Sequence, residues 1–173
     1  DEGVEEILET EEDVVVREQA KSRWARQVAV VGAAERVKQV AQDLVAHWEQ
    51  RSATQVGKAM IVCMSRQICV DLYNEIVALR PSWHDDDPAK GKVKVIITGS
   101  ANDPAEIVTH VYGRDNLRLI KRRAKKVLSR EEIAEGHDEL EIVIVRDMWL
   151  TGFDAPVMNT MYVDKPMKGH SLM

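Results

Sequence analysis

Four short runs of apolar residues, separated by connections long enough to hold a helix, constrain this chain more than any other feature. They are Lys58–Met64 (Lys-Ala-Met-Ile-Val-Cys-Met), Val93–Thr98 (Val-Lys-Val-Ile-Ile-Thr), Leu140–Arg146 (Leu-Glu-Ile-Val-Ile-Val-Arg) and, closing the series, Asn159–Val163. The first, short and nearly continuous after a glycine, suits a strand covered on both faces of a parallel sheet. Helix-length connections then imply β-α-β units with right-handed crossovers. The expected fold class is α/β, a parallel sheet flanked by helices and preceded by a helical segment.

The connections carry the matching signals. Between Asp13 and Arg51 there is no Pro, and the only Gly is Gly32. Apolar residues recur near every 3.6 positions as Trp24, Val28, Val31 and then Val37, Val40, Ala41, Leu44, Val45, Trp48, which predicts two helices meeting near Gly32. Ser52–Gly57 reads as a loop. Ser65 can cap a helix over Gln67–Leu79 with Val70, Leu72, Tyr73, Ile76, Val77 and Leu79 inward, stopped at Arg80-Pro81. A further helix starts at Pro104 or Ala105, Arg114–Leu128 is helical, and Ser129-Arg-Glu-Glu forms a capped turn. The three aspartates of the polar loop Ser82–Gly91 read as solvated, not as metal ligands.

Of the 173 residues 45% are hydrophobic and 31% charged, an ordinary globular composition. The longest apolar runs, Ala59–Met64 and Ile142–Val145, fall far short of the roughly 20 residues that cross a bilayer. The start, Asp-Glu-Gly-Val-Glu-Glu, has no basic region leading an apolar one, so no membrane partner and a cytoplasmic location are expected. Cys63 and Cys69 lack a CxxC pairing and read as reduced, buried residues. The net charge of −5 conceals an asymmetry, because residues 1–13 hold eight acids and no base while Arg114–Arg130 holds eight bases against Asp115 alone. That stretch suits a solvated helix face or a polyanion-binding one.

Ligands of open parallel sheets bind beyond the carboxyl ends of the strands. The residues there are Ser65 and Arg66 after the first strand, Thr98, Gly99 and Ser100 after the second, and Asp147–Pro156 after the third. A hydroxyl, backbone N–H groups and a guanidinium suit phosphate oxygens, and ordinary helix capping suits Ser65 as well. In the third junction Gly152 permits close backbone approach and Asp154 offers an acceptor; a simple Asx turn is the alternative. No P-loop, GxSxG elbow or HExxH helix is present, so no self-sufficient nucleotide site or catalytic residue set is expected.

The stretch Ile142–Met173, with Thr-Gly-Phe-Asp-Ala-Pro at 151–156 and Asp-Lys-Pro-Met-Lys-Gly-His at 164–170, resembles the restriction (motor) subunit of type I restriction-modification enzymes. The likeness extends more loosely upstream: Lys58–Tyr73 resembles helicase motif IV, Val93–Pro104 the following strand and Thr-Gly-Ser loop, and Trp24–Arg51 the preceding helical segment. The resemblance implies a second RecA-like domain of a superfamily 2 DNA translocase over residues 58–173, a helical segment at 14–57 leading into it, and an acidic linker or tail at 1–13. It implies motif V roles for Gly152 and Asp154, with Asp154 facing the nucleotide ribose. Ser65, Arg66, Thr98 and Gly99 would contact phosphates of one strand of duplex DNA, and Arg146 and Thr151 would flank motif V where DNA is sensed.

By the same resemblance ATP and Mg²⁺ are cofactors of the complete subunit, with most of their ligands outside this chain. The expected partners are duplex DNA, the first RecA-like and nuclease domains, and the methylation and specificity subunits. The family pattern continues past Met173 into an arginine-bearing motif VI helix. The chain therefore reads as a fragment of an ATP-dependent translocating nuclease subunit, truncated before that motif, with no metal site or catalytic residue within it and inactive alone. A stand-alone α/β module binding nucleic acid or protein without catalysis is the alternative.

Overall fold

The computed structural model describes residues 2–127, 129–135, 138–146 and 155–166, with backbone alone at 2–12 and at 133. Two helices open the chain, α1 (Glu2–Val31) and α2 (Ala34–Thr54). They meet at Gly32, as the glycine predicts, and a Cβ there would stand 3.0 Å from both Ile68 Cγ1 and the Val28 carbonyl. The acidic start is the first part of α1, continuous with residues 14–31. Every described side chain from Asp13 to Arg26 is exposed, so Trp24, expected on the packed stripe with Val28 and Val31, stands 46% exposed while those two valines reach the core. Helix α2 buries Val37, Ala41, Val45 and Trp48 at the predicted spacing. It runs on to Thr54, two residues past the Ser52 at which the sequence predicts a loop. There Thr54 Oγ1 donates to the Arg51 carbonyl at 3.0 Å, and Arg51 Nε reaches Thr160 Oγ1 at 2.6 Å.

Strands β1 (Ala59–Cys63), β2 (Val93–Ile96), β3 (Ile142–Val145) and β4 (Thr160–Asp164) fall inside or within a residue of the four predicted runs. They form one parallel sheet in the order β2-β3-β1-β4. Between them lie α3 (Arg66–Leu79), a 3₁₀ turn at Pro81–Trp83, the short α4 (Ala105–Val108), α5 (Arg114–Lys125) and α6 (Arg130–Ala134). Ser129 and Glu132 close α6 reciprocally: Ser129 Oγ accepts from Glu132 N at 3.2 Å and Glu132 Oε2 from Ser129 N at 2.8 Å, the capped turn predicted there.

Because side chains alternate across a strand, the sheet divides its apolar residues between two layers. Ile61, Val95 and Ile144 face α2 and α3, packing with Val45, Trp48, Ile68 and Leu72. Met60, Val62, Val143 and Val145 face the other way, toward Ile120 and Ala124 of α5. The result is a three-layer α/β/α sandwich. Each fully buried aliphatic side chain in it contributes roughly 1.5–3 kcal/mol. Cys63 and Cys69 are free and buried, as expected.

Among the described residues three cations are buried: Lys58 at 4%, Lys94 at 2% and Arg123 at 4% exposure. Each is matched to backbone oxygens. Lys58 Nζ donates to the Arg123 carbonyl, and Lys94 Nζ to the carbonyls of Asp85 and Asp87 at 2.6 and 2.9 Å. Arg123 binds Asp138 Oδ1 at 2.9 Å and the carbonyls of Pro88, Lys90 and Gly91 at 2.7–2.9 Å. The polar loop with three aspartates is thus fastened through its main chain by a lysine and an arginine.

Candidate functional site

The last complete row of the sheet is Ile96–Val145–Val62–Val163, one residue from each strand in register. Beyond it the chain leaves β2 toward Thr98, β3 at Arg146, and β1 toward Ser65. Neighbouring strands lie about 4.8 Å apart, so these three exits fall within about 10 Å of one another. The strand order puts Arg146 in the middle, between the Thr98 loop and the start of α3. It is exposed and forms no ion pair among the described residues.

Ser65 is extended, and its Oγ accepts from Ile68 N at 3.1 Å, the capping role that the sequence offered as one alternative. As the acceptor there, its hydroxyl keeps a hydrogen to donate. Arg66 opens α3 and turns its guanidinium sideways: Nη1 and Nη2 bind Asp103 Oδ2 and Oδ1 at 2.6 and 2.8 Å, and Nη1 also reaches the Thr98 carbonyl at 2.8 Å. Asp103 additionally accepts from Ser100 N. The Arg66 bond, aided by that backbone N–H, holds the Asp103 carboxyl below the usual carboxylate range, and Asp103 in turn raises Arg66.

Arg66 therefore spends three of its five N–H donors inside the protein and ties the β1 exit to the β2 exit. Sequence reasoning passed over Asp103. The only signal was its place in Asn-Asp-Pro before a helix, which reads as a cap. Thr98, Gly99 and Ser100 are exposed. Gly99 packs so tightly that a Cβ would lie 2.9 Å from Val111 Cγ1, which brings this loop against the segment leading into α5. Thr151, Gly152 and Asp154 lie outside the described residues.

At the far side of the same edge Asp164 ends β4, and its carboxylate takes both Nη atoms of Arg36, one at 3.2 Å and the other at 2.5 Å. Arg36 Nη1 also donates to the Val31 carbonyl at 2.8 Å, so the end of α1, the first turn of α2 and the Asp164-Lys165 exit share one guanidinium. Among the described residues no group of three or more His, Cys, Asp or Glu is disposed to hold a metal ion, and no helix is long and apolar enough to cross a membrane.

The fold is that of open parallel α/β domains, a class in which ligands are found at the carboxyl edge of the sheet, and here that edge gathers hydroxyls, an exposed arginine and a helix start. Comparison with known proteins narrows the class. Residues 100–173 match the family described as Type I restriction enzyme subunit R domain 3. The type I restriction enzyme HindI endonuclease subunit of Haemophilus influenzae is 45% identical over 168 residues, which cover 97% of this chain and 15% of that protein. The putative type I restriction enzyme MjaIXP endonuclease subunit of Methanocaldococcus jannaschii is 33% identical over 163 residues, 92% of this chain and 14% of that protein. The chain belongs to the family of type I restriction enzyme R (endonuclease) subunits. It spans about 15% of the length of these relatives.

Proposed function

We propose that this chain is the part of a type I restriction subunit that grips the phosphates of duplex DNA during ATP-driven translocation, as the second RecA-like domain of the motor. One observation carries the reading. The strand order gathers the exits after β1, β2 and β3 within about 10 Å, the axial rise of about three nucleotides, and sets the exposed Arg146 between Thr98 and Ser65. Hydroxyls and a guanidinium at such spacing match successive phosphates and carry no sequence information. Arg66 serves this reading in two ways: it anchors the Thr98 loop through Asp103, and its remaining N–H groups are left for a phosphate oxygen.

ATP and Mg²⁺ enter as cofactors of the complete subunit. The residues proposed to face the nucleotide, Gly152 and Asp154, follow Arg146 by six and eight positions. Support for them is the Thr-Gly-Phe-Asp-Ala-Pro sequence, and ATP would supply the free energy that moves this domain against its neighbour. Methylation and specificity subunits, with the nuclease and first motor domains, are the proposed assembly partners.

Binding of duplexes of unrelated sequence at several salt concentrations tests the grip. Arg146→Gln is expected to weaken all of them alike and to lower the slope of log K against log salt by about 1. An unchanged slope removes Arg146 from the DNA path. In the complete subunit Asp154→Ala is expected to abolish ATP-driven translocation with DNA binding retained, and wild-type translocation would overturn the nucleotide assignment.

A further inference from the structure

Helix α5 carries a charge pattern that the edge site leaves unexplained. The thirteen residues Arg114–Lys126 hold seven bases against one acid, in a chain whose net charge is −5. One of the seven, Arg123, is consumed in the core; Arg114, Arg118, Lys121, Arg122, Lys125 and Lys126 are all exposed. At 100° per residue, positions 114, 118, 121 and 125 fall within about 60° of arc, with 122 beside them. They make one stripe along the outer face, opposite the buried Ile120 and Ala124. Within these thirteen residues the one acid, Asp115, meets Arg118 at 3.6 Å with both side chains largely in water.

The placement of the helix gives this stripe a direction. Its start follows Val111, which touches Gly99 of the Thr98 loop, so Arg114 lies on the side of the carboxyl edge. Its last turn reaches the opposite edge, where Lys58, just before β1, donates to the Arg123 carbonyl. Helix α5 therefore runs antiparallel to the strands, and the stripe leads away from the proposed phosphate-gripping edge for about 18 Å, the axial rise of about five nucleotides. The helix is also held rigidly, since the four hydrogen bonds of Arg123 fix its inner face to the 88–91 loop and to Asp138.

We infer that the outer face of α5, centred on Arg114, Arg118 and Arg122, is a second contact surface for the phosphate backbone of duplex DNA, continuous with the edge formed by Thr98 and Arg146. The inference rests on the edge reading for its continuity and on the stripe itself for its chemistry. A face that only kept the protein in solution would mix charges of both signs. This one concentrates a single sign in an otherwise acidic chain and aligns it from the edge outward.

The test uses the intact protein and labelled duplexes of scrambled sequence, one of about 8 and one of about 24 base pairs, titrated at several salt concentrations. The triple variant R114Q/R118Q/R122Q is expected to bind the longer duplex at least about tenfold more weakly near 0.1 M salt. Its salt slope should fall by about 2 to 3, and most of its preference for the longer duplex should be lost. The charge-preserving R114K/R118K/R122K is expected to stay within about threefold of wild type, and an unaltered melting temperature in both variants shows that the fold persists.

Binding by the glutamine variant within about twofold of wild type, at an unchanged slope, overturns the inference. If that variant weakens while Arg146→Gln does not, the edge reading fails and α5 stands as a duplex-binding face by itself. If only Arg146→Gln weakens binding, the edge stands and α5 falls. Retention of polyglutamate by wild type but not by the glutamine variant, with duplex binding unchanged, assigns the face to an acidic polypeptide and overturns the DNA assignment.

Discussion

Arg66 and Asp103, 37 positions apart in sequence, close the carboxyl edge of the sheet by a two-point ion pair of 2.6 and 2.8 Å. The pair joins the first turn of α3 to the loop after β2, and the further bond from Arg66 to the Thr98 carbonyl makes the joint a three-point one. The geometry of the proposed grip thus depends on a carboxylate that itself repels phosphate.

Replacing Asp103 by Asn is expected to change the acid limb of the stability profile. The Asp103 carboxyl is held low first by Arg66, so it binds fewer protons folded than unfolded. Its contribution is fully present above the ordinary carboxylate value near 4 and is lost as pH falls through the lowered folded value. Thermal melts of wild type and D103N should differ by a constant amount from neutral pH to about 5 and converge in more acidic buffer. A difference that stays constant into acid would refute the pairing.

Arg123 is expected to be the costliest single side chain to remove. Arg123→Ala leaves the carboxylate of Asp138 and the carbonyls of Pro88, Lys90 and Gly91 without their donor in a site only 4% exposed. Losing one partner of a buried ion pair costs about 3–5 kcal/mol. Urea titration should show the unfolding free energy lowered by that amount, through a lower midpoint at nearly the same slope; a loss under about 1 kcal/mol would show that water replaces the guanidinium.

Lys58 gives the chain an alkaline signature. Burial lowers its ammonium to about 8, with Asp138 opposing the shift. Between about 8 and the usual lysine value near 10.4 the unfolded chain binds more protons than the folded one, so this group's contribution to stability rises with pH across that window. Below it the cost of burying the charge is fully present. The melting temperature of wild type relative to Lys58→Met should climb by several degrees between pH 7.5 and 9.5. A flat difference would mean that the ammonium stays charged throughout.

Two glycines of the same connection are expected to respond oppositely. Gly99→Ala drives a methyl to 2.9 Å from Val111 Cγ1, and a β-branched neighbour cannot swing away, so a loss of about 1–3 kcal/mol follows. Gly113 caps α5 in an extended conformation (φ −64°, ψ 166°) without a side-chain hydrogen bond, and nothing lies within 4 Å of a Cβ built there. Gly113→Ser supplies the missing acceptor and should stabilise by about 0.5–1 kcal/mol. Equal effects of the two substitutions in calorimetry would contradict this packing.

The elements themselves were legible in the sequence. Apolar runs of four to six residues, a glycine between two 3.6-period stripes, Ser65 before α3 and Ser129-Arg-Glu-Glu before α6 each carry a local signal that chain geometry obliges. The family was legible for the same reason, through contiguous residues such as Thr151–Pro156 and Asp164–Met167. The end of α2 was missed, because the Arg51–Thr160 bond that accompanies its last turns joins residues 109 apart. Trp24 was misplaced, because a helical stripe records which face is apolar and not whether anything packs on it.

By itself, then, the sequence determined the parallel α/β class, the strands and helices, and the strand exits where a ligand site had to be sought, because hydrophobic period and turn chemistry are local. Only the tertiary structure decided that the strands order as β2-β3-β1-β4, that Arg146 stands between Thr98 and Ser65, that Arg66 faces Asp103, and which cations of α5 look outward while Arg123 turns in. Those facts rest on pairings between residues distant along the chain, and such pairings are selected by how the two layers pack on the sheet.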